Sequence, residues 1–392
     1  MSNRYTGDPD ARRLRAELQS RWMDAYAPTR HVDTILVVAA LALAGIGLVM
    51  IFSAKLHQLT LQGLPNTLYL NRQLVALAIG LVVMVVASMV DYRRLQSYVF
   101  VLYGTVIVLL IAVLTPLGNA VGGSQRWLVV GPAQLQPSEL AKVAVLIAIA
   151  ALLSEAKAQP GLGEVAIGLV IAVVPTVLVF VQPDLGTSMV FVFLAAGMFL
   201  VGGVRVRYLV ALVIAGIVGF LVSLQTELIQ DYQVRRLTAF LDASDPALAQ
   251  GAAFHTRQSL IAVGSGQLSG KGLFQGTQTA LAYVPENHTD FIFTVVGEEF
   301  GFVGTSAVVA LFAVLVWRAL MIAATAKDLF GRLVASGIAS ILTFQVFVNV
   351  GMTIGLMPVT GLPLPFVSYG GTSLIMWFSL IGVLQSIHMR RF

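Results

Sequence analysis

The chain has 392 residues, 57% of them hydrophobic and only 11% charged, with a formal net charge of +5 and no cysteine. Soluble domains carry about 25% charged residues, so this composition excludes a soluble fold and describes a polytopic membrane protein. Disulfides and thiolate metal sites are excluded as well, and the five histidines show no paired ligand spacing.

Residues 1–33 form a polar tail carrying Arg4, Arg12, Arg13, Arg15, Arg21 and Arg30. It lacks the apolar core of a cleavable signal peptide. Leu14, Leu18, Trp22 and Tyr26 recur every fourth residue, which fits a short helix lying on the cytoplasmic leaflet; a disordered tail is the alternative. Ten apolar runs follow, near 34–53, 74–90, 98–117, 140–153, 166–181, 185–201, 208–224, 291–320, 332–354 and 372–388. Several are close to the lower end of the roughly 17–25 residues that a spanning helix needs. They predict an all-α membrane domain over 34–388, with about ten transmembrane helices and a short cytoplasmic end at 389–392. A large structured outer connection, 225–290, separates helices seven and eight.

Basic residues set the orientation. With the amino terminus inside, the inner segments hold the tail arginines, Arg93, Arg94, Lys157, Arg205, Arg207, Arg318, Lys327, Arg332, Arg390 and Arg391. The outer segments hold Lys55, Arg72, Arg126, Arg235, Arg236, Arg257 and Lys271, four of them in the one long connection. Long loops count least in the positive-inside bias, so both termini are expected in the cytoplasm.

The unusual sequence then falls on the outer side. GSQRW (123–127) sets Arg126 beside Trp127; a guanidinium binds a phosphate head group in bidentate fashion, although a Trp here also fits an ordinary aromatic belt. QPSELAK (136–142) opens with Gln136, and Ser138 could cap a helix behind Pro137. Glu139 and Lys142 stand three apart on one helical face. A charged pair entering an apolar helix is satisfied by a ligand or by itself, as an ion pair that fixes packing. QPDLGT (182–187) reads as a tight turn with Asp184 as a helix cap. QSLIAVGSGQLSGKGLFQGTQ (258–278) holds five glycines whose amides could cradle a phosphate beside Lys271, or it is a turn-rich linker.

VPENHTDFIFTVVGEEFGFVG (284–304) starts polar, with His288 and Asp290, and runs into apolar sequence with no basic residue to neutralise the carboxylate. Ionisable groups at the mouth of a membrane helix are costly and therefore functional candidates; Asp290 as a helix-start residue, favoured by the dipole, is the plainer alternative. Glu298 and Glu299 sit deeper and suit helix packing. GLMPVTGLPLPFVSYGGTS (355–373) has three prolines, four glycines and no charge. Such backbone must be buried in protein or line a wet cavity. It offers Ser368, Tyr369, Thr372 and Ser373 as hydrogen-bonding groups, or it merely closes the bundle. Arg126, Glu139, Lys142, Lys271, His288 and Asp290 thus share one side, as a site for a polar or anionic substrate at the outer interface would require. No nucleotide motif lies on the inner side, so ATP-driven transport has no support.

These six motifs, in this order, resemble the SEDS family of bacterial envelope proteins over about 33–391. PVTGLPLPF (358–366) is similar to the elongation members of the family rather than the division members. GSGQ (264–267) departs from the commoner GSGG, and the basic tail is outside the shared pattern. The resemblance implies a ten-span fold with a large outer loop. It also implies a peptidoglycan glycosyltransferase that polymerises lipid II into glycan strands and releases undecaprenyl pyrophosphate. The implied partner is a class B penicillin-binding protein, which supplies the transpeptidase whose serine–lysine motif this chain lacks; no nucleic acid is implied. The family's essential acid falls on Asp290, and its fourth-span acid and lysine fall on Glu139 and Lys142.

The expected chemistry follows. A carboxylate beside apolar surface has its pKa raised toward the working range, so Asp290 would accept the proton of the attacking sugar hydroxyl. Arg126, Lys142 and Lys271 would stabilise the leaving pyrophosphate, and a divalent cation such as Mg2+ would serve the same end. Gln136, Glu139, His288 and Ser368 complete the expected substrate contacts. The rival reading is a lipid II flippase, which should carry ionisable groups through the full depth of the membrane rather than in its outer half.

Overall fold

The computed structural model describes residues 31–121, 124–131, 133–156, 159–225, 252–281 and 283–391. The tail with its Leu14–Tyr26 stripe, Gly123 of the GSQRW motif, and Arg235 and Arg236 of the long connection lie outside the described residues.

In lipid a backbone can satisfy its polar groups only internally, so the apolar runs coil into helices. In chain order these are α1 (Thr34–Leu61), α2 (Leu68–Met89), the single turn α3 (Arg94–Ser97), α4 (Val99–Leu114), α5 (Pro137–Glu155), α6 (Leu162–Val181), α7 (Leu185–Val201), α8 (Val206–Gln225), α9 (Ala252–Ser265), α10 (Thr277–Ala280), α11 (Ile292–Thr325), α12 (Leu329–Thr353) and α13 (Gly371–Met389). Among the described residues, seven of them (α1, α2, α5, α6, α11, α12 and α13) are long and apolar enough to cross a membrane, while α4 and α7 are shorter apolar helices. This is the polytopic helical fold that the composition predicts.

One element was not expected. A three-stranded antiparallel sheet, β1 (Gly118–Val121), β2 (Ser124–Val130) and β3 (Ala133–Leu135), lies between α4 and α5 in the order β1-β2-β3. Its strands have three to seven residues, too short for their alternation to stand out from a loop. Gly131, at φ +62°, makes the turn between β2 and β3.

Burial sorts the helices. Most of α5, α12 and α13 is enclosed by protein, whereas α2 and α6 keep most of their surface outward. The enclosed helices pack on one another and on α2, α7 and α11, and they carry the buried polar groups Glu139, Lys142, Gln345 and Asn349. Aspartates fix several helix starts by accepting from first-turn amides: Asp33 from Leu36, Asp184 from Thr187 and Asp328 from Gly331. Pro137 takes the first position of α5, where its missing N–H costs nothing. Gln136 is therefore the cap residue, and Ser138 is already inside the helix rather than capping it.

The helix α11 is broken at Gly301 (φ 62°, ψ −155°). The break frees two amides, and the glycine-rich segment fills them: Phe302 donates to Gln267 O at 2.8 Å and Val303 to Leu268 O at 3.1 Å.

Candidate active site

The short links at one end of the bundle converge on Asp290. It stands just before α11, whose cap position is Phe291 without a side-chain cap bond. Asp290 is partly exposed, whereas Asn287 and His288 before it are buried. Asn349 Nδ2, near the end of α12, donates to the carbonyl of Asp290 at 2.8 Å and to that of Leu362 at 2.7 Å. One side chain thus staples the Asp290 turn to the 355–370 loop. Gly361, at φ +74°, lies against the carboxylate: a Cβ there would come 3.3 Å from Asp290 Oδ2.

The middle of the 355–370 loop is buried, with Leu362, Leu364, Phe366 and Val367 almost inaccessible, while Leu356 at its start is exposed. Of its prolines, Pro365 is buried and Pro358 and Pro363 are partly so. Ser368 braces it: its hydroxyl accepts from Leu364 N at 2.8 Å and donates to Thr289 O at 2.5 Å. Tyr369 N donates to His288 O, and Gln73 bridges Ser368 O and Gly370 N. His288 packs edge-on to Tyr69 and tilted against Tyr369, with ring centroids 5.2 and 5.6 Å away. Burial first, and then the charge of Lys55, pushes its pKa down to about 3, so the ring is neutral at physiological pH.

Glu139 and Lys142 lie wholly inside the protein, 1% and 0% exposed, and pair at 2.7 Å. Lys142 Nζ also donates to Gln345 Oε1 at 3.1 Å, tying α5 to α12. Of the two readings of this pair, a substrate contact or an ion pair that fixes packing, the geometry is that of the ion pair: the two residues hold each other and α12. Gln345 is one turn before Asn349 on the same face of α12, so a polar string runs from α5 to the Asp290 turn. Gln136, partly exposed, begins that helix, and Thr372 beside it donates to Gln134 O.

Arg126 on β2 donates to the carbonyls of Gln182 (3.2 Å) and Pro183, with Asp184 at 3.9 Å. It clamps the 182–184 turn, and Gly186 just beyond packs against Thr360 and Leu362 of the 355–370 loop. Lys271 pairs with Glu298 at 2.7 Å, and Glu298 also accepts from Gln278 N and from both Thr279 N and Thr279 Oγ1. Ser53 donates to Glu299.

The glycine-rich loop, read from sequence as a phosphate cradle or a turn-rich linker, packs here on α11. The amides of Lys271 and Gly272 go to the carbonyls of Glu298 and Glu299, and Gly266 and Gly270 press directly on the α11 backbone. Glycine is needed there for close approach to a broken helix. Gln345 and Asn349 were missed in the sequence. The signal was present: two amides at i, i+4 spacing inside an otherwise apolar span.

Comparison with known proteins now gives the family. Residues 33–391 match the family of FtsW, RodA and SpoVE, described as cell cycle proteins. The chain is 40% identical to the peptidoglycan glycosyltransferase MrdB of Escherichia coli K12 over 92% of its length and 94% of that protein. It is 38% identical to stage V sporulation protein E of Bacillus subtilis, over 91% of this chain and 96% of that one. Among solved structures it is similar to a chain of a peptidoglycan synthase complex that coordinates polymerization and crosslinking, with TM-score 0.77 and 32% identity over 92% and 98% of the two chains. It is also similar to the rod shape determining protein RodA of Thermus thermophilus, with TM-score 0.67, 32% identity and the same coverage. The chain belongs to the FtsW/RodA/SpoVE family, the SEDS family.

Proposed function

We propose that the chain polymerises lipid II into glycan strands at the outer face of the cytoplasmic membrane during cell elongation, with Asp290 as general base. It is a peptidoglycan glycosyltransferase, as its relatives are named. The observation that carries the site assignment is a partly exposed carboxylate at the head of a membrane helix, held from behind through its own backbone carbonyl by Asn349. Asp290 takes the proton of the acceptor sugar hydroxyl as that oxygen attacks the donor anomeric carbon, and the undecaprenyl pyrophosphate leaves.

The cations expected to receive the pyrophosphate have protein partners in this conformation. Arg126 and Lys271, 19% and 27% exposed, keep a solvent-facing edge for an anion, whereas Lys142 is sealed. Lys142 and Glu139 accordingly act as support, and Gln136, His288 and Ser368 shape the rim of the site. A magnesium ion would take most of its ligands from water and the pyrophosphate itself; among the described residues no three His, Asp or Glu side chains converge on a metal position. In this reading ten helices cross the bilayer, with α8 and the shorter α4 and α7 joining the seven long apolar ones, both termini are cytoplasmic, and a class B penicillin-binding protein supplies crosslinking.

The test is lipid II polymerisation by purified protein, with and without the partner transpeptidase. Asp290→Asn should lower the rate about 10²–10⁴-fold, the span of general acid–base contributions. Parent-level strands from a folded Asp290→Asn protein would refute the assignment of the base. Absence of strands from the parent with its partner, together with lipid II scrambling between leaflets, would replace polymerisation by transport.

A further inference from the structure

Buried polar atoms almost always find hydrogen-bond partners. Four that have none among the described residues lie on the two helices that underpin Asp290: Ser138 Oγ and Glu139 Oε2 on α5, and Gln345 Nε2 and Asn349 Oδ1 on α12. Gln345 and Asn349 are both fully buried. Replacing such polar groups by apolar ones of similar shape is often neutral or stabilising. A string of this kind between two of the most enclosed helices therefore does little for stability. What it does is geometric.

At its lower end Lys142 holds Glu139 and Gln345, and so fixes α12 against α5. At its upper end Asn349 spends both amide hydrogens on the carbonyls of Asp290 and Leu362. Those two carbonyls belong to segments far apart in sequence, and between them sits Gly361 against the Asp290 carboxylate. One buried amide side chain thus ties the segment that carries the carboxylate to the segment that carries its glycine neighbour. We propose that Asn349 is a positioning residue for Asp290, seated on Gln345 and the Glu139–Lys142 pair. This rests on the reading of Asp290 as the base.

A misplacement of about 1 Å in a reacting group can cost about 10²-fold in rate. Asn349→Ala should therefore lower kcat for lipid II polymerisation about 30–100-fold while KM and lipid II binding change less than about twofold, since neither donor nor acceptor contacts this amide. Asn349→Asp, which keeps the volume but loses both donors, should show the same split and carries the test if the alanine variant does not fold. Gln385→Ala is the control. Gln385 is an equally buried amide that exchanges hydrogen bonds with the Asp33 backbone at the other end of the bundle. It should lower the melting temperature and leave kcat alone.

Parent-level kcat in either folded Asn349 variant overturns the proposal. So does an equal loss in Gln385→Ala, which would mean general loosening. Asp290→Asn run beside them separates the two ideas. If it is inactive while the Asn349 variants are fully active, only the positioning role falls; if it is fully active, the base assignment falls first.

Discussion

Two buried residues show how environment decides a role that residue type leaves open. Lys142 and Glu139 are charged residues on the fourth apolar run, and both reach their partner inside the protein. Removing one member leaves an uncompensated charge, so Lys142→Met should cost about 3–5 kcal/mol. Adding Glu139→Gln to it should restore most of that. Unfolding of the parent and the two variants in detergent measures the difference, and equal stabilities would show that the pair is not a brace. His288 gives a second test. Its pKa falls on folding from 6.5 to about 3, so below 6.5 the unfolded chain binds the proton more readily. The neutral ring's contribution is complete above pH 6.5 and is lost as pH drops toward 3, at about 1.4 kcal/mol per pH unit. By pH 5 the parent should lose about 2 kcal/mol that His288→Gln does not lose; matching acid profiles would contradict this.

At the scale of elements, the broken α11 and the 264–279 segment form one unit. The helix gives up its continuity at Gly301, and the segment returns backbone carbonyls to the freed amides. Glu298 collects the segment's remaining donors from Lys271, Gln278 and Thr279. Glu298→Gln removes the ion pair and leaves a poorer acceptor for buried donors, a loss of about 1–3 kcal/mol. Its local sign should be faster proteolysis within the glycine-rich segment. Gly270→Val should be more severe, because Gly270 has φ +78° and its missing Cβ would overlap the Glu299 carbonyl. Failure of that variant to accumulate, against normal levels of a Gly264→Ala control with open space around it, is the expected result.

For the whole molecule, the ends of the helices define two unlike faces. One gathers Asp290, the 355–370 loop, the sheet and the 182–184 turn. The other holds Asp33 with Arg318 (2.8 Å) and Arg93 with Asp328 (2.8 Å). The orientation we propose puts the first outside. The chain has no cysteine, so single-cysteine variants report topology without background. Gln275→Cys, at an exposed loop position, should react with a membrane-impermeant maleimide in intact spheroplasts, and Lys327→Cys only after permeabilisation. The reverse pattern would invert the molecule and remove the site from the outer face.

Composition and hydropathy alone determined that this is a helical membrane protein, because a lipid-embedded backbone has so few solutions. They also singled out Asp290, since a carboxylate next to a long apolar run is conspicuous wherever the chain folds. Asp184 was legible as a cap for the same local reason. The small sheet was not, as strands of three to seven residues carry too little periodicity. Only the tertiary structure decided what the other polar residues touch. Lys142 meets Gln345 across more than 200 positions, Arg126 meets the carbonyls of a distant turn, and Asn349 joins Asp290 to Leu362. Local patterning reports burial and secondary structure through nearest neighbours; a hydrogen bond between remote segments exists only once the helices are packed.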